Sequence, residues 1–307
     1  MSYPDRLRSL PVGNASTREY SWKEACDLVR DMWARLDPAY ATMFDDAIAS
    51  GHVFTGSRRS AACWWAPGQP PFLELNFGGT FRDVVRLAHE YGHYIAARLI
   101  FAHQNGLNDN PSVPMCEIPS VVVEQLLIQA LDGEAGQADE ERLSSLIEQL
   151  DRLAGAVFRQ TAGTLVELDL YAARRQDGAV SMDRANAIFL ARIRDQLMGE
   201  SVTFENNAEL SWMLWPHLMM GFYMPGYIVG SAVATVLTQR VGANPGYIKV
   251  VEDLMAVGSS ESLEDALQAI GIDIASTQFW DDVLAHGWYD KLRELEALLT
   301  RLGYHEG

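Results

Sequence analysis

The 307-residue chain is 48% hydrophobic and 21% charged, near the globular averages, which excludes a disordered or collagen-like polymer. Its 24 Lys and Arg against 41 Asp and Glu give a net charge of −17, which repels phosphate backbones and anionic lipid, so neither nucleic acid nor a membrane surface is an expected partner. Cys26, Cys63 and Cys116 are too few for a disulfide framework, and the N-terminus lacks an apolar signal segment, so a cytoplasmic protein is expected.

Residues 1–18 read as a polar N-terminal arm. Ser21 can cap a helix to about Leu36, with Glu24 in the capping-box position. Asp37-Pro38 ends that helix and starts another, which runs to about Ser50. HVFTG, SAACWW and PFLELNF are short apolar runs separated by GSRRS and APGQPP, the pattern of a small sheet of two or three strands. Helices are expected over Phe81–His103 and Ile118–Leu131, then a turn around Gly133 and a long amphipathic stretch from Asp139 to Arg175 with a break near Gly155. Ser181 can cap a helix to about Leu197.

Leu210 to Leu237 holds no charged residue, yet Pro216, His217, Gly221, Pro225 and Gly226 interrupt it. Buried, broken backbone beside a site fits that run better than a membrane span. Helices follow from Tyr227, Pro245, Ser262 and Phe279. The fold class read from this pattern is mostly α with a small β-sheet, as a single domain over 19–307.

His89-Glu90-Tyr91-Gly92-His93 is an H-E-x-x-H motif in a helical context. Its two imidazoles lie one turn apart on one face, so both can reach one metal ion, with Glu90 beside them to hold a water. A solvated face with two histidines is the plain alternative. Gly92 stands where a helix would prefer Ala, which suggests that another backbone or a ligand packs there. Downstream, Pro119 fits the first turn of a helix and puts Glu117 at or near its N-terminal end. That carboxylate is either a third metal ligand or a residue favoured by the helix dipole. Glu124, two turns on, is either a partner for a ligating histidine or a solvated charge, and Val121–Val123 argue against full exposure.

HEYGH, followed 28 residues after His89 by EIPSVVVE, resembles the catalytic core of the thimet oligopeptidase/oligoendopeptidase F family of zinc metallopeptidases. YSWKEACDLV, PFLELNFGGTFRDVVRLAHEYGH, ELSWMLWPH and GYIVG are similar to the oligoendopeptidase F branch, from about Tyr20 to Leu299. The resemblance implies a zincin-type catalytic domain with one zinc ion on His89, His93 and Glu117. It implies Glu90 as general base, and His217 with Tyr227, or more weakly Tyr223, as oxyanion donors. Pro225 stands where the branch usually has a tyrosine, which ranks Tyr227 above Tyr223.

A peptide or peptide-like substrate follows from the resemblance, and strand Phe72–Phe77 could pair with it by strand addition. A narrow tailoring hydrolase acting on one biosynthetic peptide or amide, or a zinc-containing binding protein without turnover, are the alternatives. Cys116 reads as a small buried residue; His52, His103, His286 and His305 have no partner pattern. Trp64-Trp65 reads as a peptide wall, a dimer contact or core. Family members cover the metal helix with a long N-terminal region, and this chain begins where that region would end. A homodimer that covers the exposed apolar surface is therefore expected, with a wider cleft.

Overall fold

Helix α1 (Trp22–Leu36) opens the architecture, capped by Ser21, whose Oγ accepts from the Glu24 N–H at 3.1 Å. In this computed structural model, residues 18–56, 61–132, 139–198, 202–205 and 207–304 are described; apart from Arg18, the expected arm over 1–18 lies outside them, as does the turn around Gly133. Asp37 stops α1 and caps α2 (Pro38–Ala49), whose proline takes the first helical position.

The three apolar runs form strands β1 (Val53–Phe54), β2 (Ala62–Trp64) and β3 (Phe72–Glu74), in the order β1-β3-β2, parallel between β1 and β3 and antiparallel between β3 and β2. Because β3 lies in the centre, both of its edges are occupied. Strand addition at Phe72–Phe77 is thus ruled out for the β3 residues, and the edge left over on that side belongs to β2.

Helix α3 (Phe81–His103) begins at a reciprocal capping box: Thr80 Oγ1 accepts from the Asp83 N–H, and Asp83 Oδ2 accepts from the N–H groups of Thr80 and Gly78, both at 3.0 Å. This lock fixes where the turns of α3 fall relative to the sheet. Helix α3 packs most extensively against α4 (Val113–Asp132). A Cβ placed on Gly92 would lie 2.6 Å from Ser120 Cα and 2.8 Å from the Pro119 carbonyl oxygen, so only glycine lets these two backbones touch.

Helix α4 starts five residues before the expected Ile118. The proline of its first turn is Pro114, not Pro119, which sits in the interior. Glu117 is therefore an internal helical residue rather than an N-terminal one. Ser120 Oγ donates to the Glu117 carbonyl at 2.8 Å, giving that carbonyl a side-chain partner next to the proline. Among the described residues α4 is the one helix long and apolar enough to cross a membrane, but 61% of its apolar window is buried inside the protein, as in a core helix.

The long amphipathic stretch divides as expected at Gly155, although the break is a π-helical turn (155–159) between α5 (Asp139–Ala154) and α6 (Gln160–Asp177) rather than a loop. Helix α7 (Met182–Ile193) follows, capped by Ser181. Two 3₁₀ turns, Ala208–Leu214 and Pro216–Met219, then lead into α8 (Pro225–Ala243), α9 (Ile248–Ala256), α10 (Leu263–Ala269), α11 (Thr277–Asp282) and α12 (Asp290–Arg301). Backbone in the uncharged segment is broken, as expected, but much of it is not buried: Leu214 is 81% exposed and Met219 65%.

Contacts divide the chain into two units, Asp151–Val229 and the remainder of the described chain. The larger is built around α3 and α4, with the sheet, α1 and α9 against α3; Leu143, Leu146 and Leu298 add a second apolar cluster between α5 and α12. The smaller has its own core of Ala162, Val166, Phe189, Ile193, Trp215 and Met224.

Candidate metal centre

Helical geometry puts His89 and His93 on one face of α3, and the Gly92 contact brings α4 close enough for Glu117 to meet them. One ring nitrogen from each histidine and one Glu117 oxygen all lie within 4.8 Å of one another. Nε2 of His89 is 3.7 Å, and Nε2 of His93 3.9 Å, from Glu117 Oε2. Ligands at ordinary zinc distances in a tetrahedron stand roughly 3.3 Å apart, so small side-chain movements would close the set.

The other ring nitrogen of His89 is engaged. His89 Nδ1 lies 3.2 Å from Glu124 Oε2, and His93 hydrogen-bonds the Cys116 backbone. Glu124 favours the His89 tautomer that presents Nε2 to the cluster. Glu124 is buried at 7% exposure, so it is not a solvated charge.

Burial pulls His93 down to about 3, with His89 adding to the effect, which keeps it in the neutral form that binds metals. His89 is also lowered by burial, but the Glu124 hydrogen bond and the carboxylates of Glu90 and Glu117 outweigh this and leave it raised. Glu117 is pushed up chiefly by burial, against the pull of His89, with Glu90 and Glu124 adding repulsion. Three buried carboxylates converging on imidazoles make a place where a divalent cation relieves repulsion, and the nitrogen and oxygen donors suit zinc. The donor set fits that metal.

Glu90 is buried at 6% exposure and close enough to repel charge on Glu117 and Cys63. Trp65 approaches His93, their ring centroids 6.4 Å apart. Trp64 is 58% exposed and its indole N–H donates to Glu74, so it is no core residue. Cys116 is partly buried, its thiol near the Pro111 carbonyl.

Gly230 on α8 carries no sequence motif of its own, yet a Cβ there would lie 2.9 Å from Glu117 Cβ. It is the glycine that lets α8 press on the third member of the cluster. A glycine in the interior of an apolar helix is the signal that would have found it.

His217, Tyr223 and Tyr227 form a group within the smaller unit. The His217 ring stacks on Tyr223 at 5.1 Å and 19°, and lies 5.3 Å from Tyr227; the two phenol rings are 5.6 Å apart. Burial, helped by the Arg159 guanidinium, lowers His217 and favours its neutral form.

The model of Peptidase family M3 matches residues 58–286, which span the sheet edge, the histidine–glutamate cluster and the His217 group. Oligoendopeptidase F, plasmid form, of Lactococcus lactis subsp. cremoris is 29% identical over 236 residues, 76% of this chain and 38% of that protein. Oligopeptidase PepF of Bacillus subtilis is 23% identical over 298 residues, 95% of this chain and 44% of that one. The chain thus spans less than half the length of these two relatives. Among solved structures, PZ peptidase A with an inhibitor superimposes with a TM-score of 0.76 at 17% identity, covering 96% of this chain and 52% of that one. Oligoendopeptidase F of Enterococcus faecium gives a TM-score of 0.60 at 18% identity, covering 92% and 44%. The zincin-type fold expected from the sequence is therefore the fold the chain has. With a family model covering well over half of its residues, the chain belongs to Peptidase family M3.

Proposed function

We propose that the protein is a zinc-dependent peptidase in which His89, His93 and Glu117 hold the metal and Glu90 serves as general base. The observation that carries this reading is the convergence of two imidazole nitrogens and one carboxylate oxygen within 4.8 Å, with Nδ1 of His89 already held by Glu124. A bound zinc ion would supply Lewis acidity at the scissile carbonyl and acidify water beside it.

The chain's own residues do the rest. Glu90 accepts the proton of the attacking water on a carboxylate oxygen and passes it to the leaving amine nitrogen. Glu124 and the Cys116 carbonyl hold the two imidazoles in register. The ring N–H of neutral His217 and the hydroxyl of Tyr227 serve as donors to the oxyanion, with Tyr223 as the second candidate. An extended peptide can add to the outer edge of β2, which pairs only with β3 among the described residues, with Trp65 as an apolar wall near His93.

A narrow hydrolase of one biosynthetic peptide would share all of these parts. A non-catalytic zinc protein would not need a buried carboxylate at Glu90, and the retention of Glu90 favours the enzyme. The test is Glu90→Gln. It should keep the wild-type zinc content and lose about 10²–10⁴-fold in cleavage of a mixed peptide library. Near wild-type cleavage at full zinc would overturn the mechanism, and loss of the metal would show Glu90 to be a ligand.

A further inference from the structure

One face of α6 carries Gly163, Glu167 and Tyr171 at positions i, i+4 and i+8, and it grips the segment between His217 and Tyr227 at three points. A Cβ on Gly163 would lie 2.3 Å from Met224 Sδ, so any larger residue would push the buried methionine from its place. Glu167 Oε1 accepts the Phe222 backbone N–H at 2.7 Å. The Phe222 ring stacks on Tyr171, centroids 5.4 Å apart and planes 14° from parallel.

The gripped segment is strained. Gly221 and Phe222 are consecutive left-handed residues, with φ of 61° and 53°, and an aromatic residue rarely adopts that conformation.

Stability alone does not account for Glu167. The residue is 4% exposed, and its Oε2 has no hydrogen-bond partner among the described residues. A buried carboxylate with an unmatched oxygen destabilises a fold relative to an apolar side chain of similar volume. The bond that Glu167 does make goes to the backbone of the strained turn, where it holds that turn in one place.

We infer that Glu167 is a positioning residue: its carboxylate fixes the left-handed Gly221-Phe222 turn and so sets the arrangement of His217 against Tyr223 and Tyr227. The consequence for turnover rests on the proposed role of His217 and Tyr227 as oxyanion donors. Catalytic groups displaced by about 1 Å lose up to about 100-fold in rate. Met224 and Tyr171 hold the flanks of the turn, whereas Glu167 holds its backbone.

The experiment compares Glu167→Leu and Glu167→Gln with wild type in the zinc-loaded protein, each also in a His217→Ala background. It reads the amide exchange rate of Phe222, the thermal midpoint, and kcat and KM on a peptide that the wild type cleaves. Glu167→Leu should speed Phe222 exchange, leave the midpoint unchanged or higher, and lower kcat by about 10- to 100-fold with little change in KM. Glu167→Gln keeps an acceptor oxygen and should restore slow exchange and most of kcat. Once His217 is gone, Glu167→Leu should lower kcat by a smaller factor than it does in the wild-type background, because only Tyr227 is left to misplace.

Unchanged Phe222 exchange in Glu167→Leu would overturn the positioning claim, as would a lowered midpoint or failure to fold, which mark a structural role. Wild-type kcat in Glu167→Leu beside an impaired His217→Ala would also overturn it. Wild-type kcat in both His217→Ala and Tyr227→Phe would instead overturn the oxyanion reading and the link from Glu167 to turnover, while the exchange rate still judges whether Glu167 holds the turn.

Discussion

Glu124 shows how much of this site depends on a single residue's placement. Buried against His89 Nδ1, it decides which ring nitrogen faces the cluster and raises that nitrogen's basicity. Glu124→Gln should weaken zinc binding by about 10- to 100-fold while leaving the fold intact. Competition with a chelator of known affinity measures this, and unchanged affinity would make Glu124 a bystander. At the same scale, His217→Ala or Tyr227→Phe should lower kcat by about 10²–10³-fold, with Tyr223→Phe milder. Equal and negligible effects at all three would return these rings to packing. The spacing of His89 to His93, and of Glu117 to Glu124, was legible because in each pair one helix fixes it. The Cys116 carbonyl was not, since any residue supplies a carbonyl, and Glu167 has no motif to announce it.

Between elements, two glycines act as spacers whose substitution should hurt in different ways. Gly92→Ala gains about 1 kcal/mol of helix propensity, yet its methyl would meet Ser120 Cα at 2.6 Å. Backbone cannot swing aside as a side chain can, so the net change should be a destabilisation of about 1–3 kcal/mol, read by urea unfolding. A neutral or stabilising result would mean that α3 and α4 are not so closely apposed. Gly230→Ala presses instead on Glu117 Cβ, at 2.9 Å. It should weaken zinc binding more than it lowers stability, as chelator competition alongside unfolding would show.

Caps and local turns carried most element boundaries in the sequence: Ser21, Asp37, Ser181 and Ser262 all cap the helices they precede. Helix α4 was misread because it holds Pro114 and Pro119, and local pattern does not tell which one opens the helix. The tight α3–α4 contact holds Pro119 within the helix, a tertiary effect that no short window reveals. The order of the strands was likewise out of reach, because length and polarity alone do not say which of three short apolar runs lies in the centre.

For the molecule as a whole, metal binding should feed into stability. A ligand that binds only the folded state at 1,000 times its dissociation constant stabilises by about 4 kcal/mol. Chelation should therefore lower the thermal midpoint, and zinc should restore it. The repulsion among buried Glu90, Glu117 and Glu124 in the metal-free cluster points the same way. An identical midpoint with and without chelator would contradict that coupling. The two units divide the proposed chemistry, with the ligands and the base in one and the rings of His217, Tyr223 and Tyr227 in the other. This division was invisible in the sequence because the composition shows no shift at either boundary of Asp151–Val229.

The central claim is that two histidines of α3 and one glutamate of α4 form a zinc site. Its most direct test is the zinc content per chain of the purified wild type and of Glu117→Ala, after equal exposure to zinc and dialysis. The account predicts one zinc per wild-type chain and most of it lost from Glu117→Ala. Stoichiometric zinc in Glu117→Ala, or none in the wild type, would contradict it.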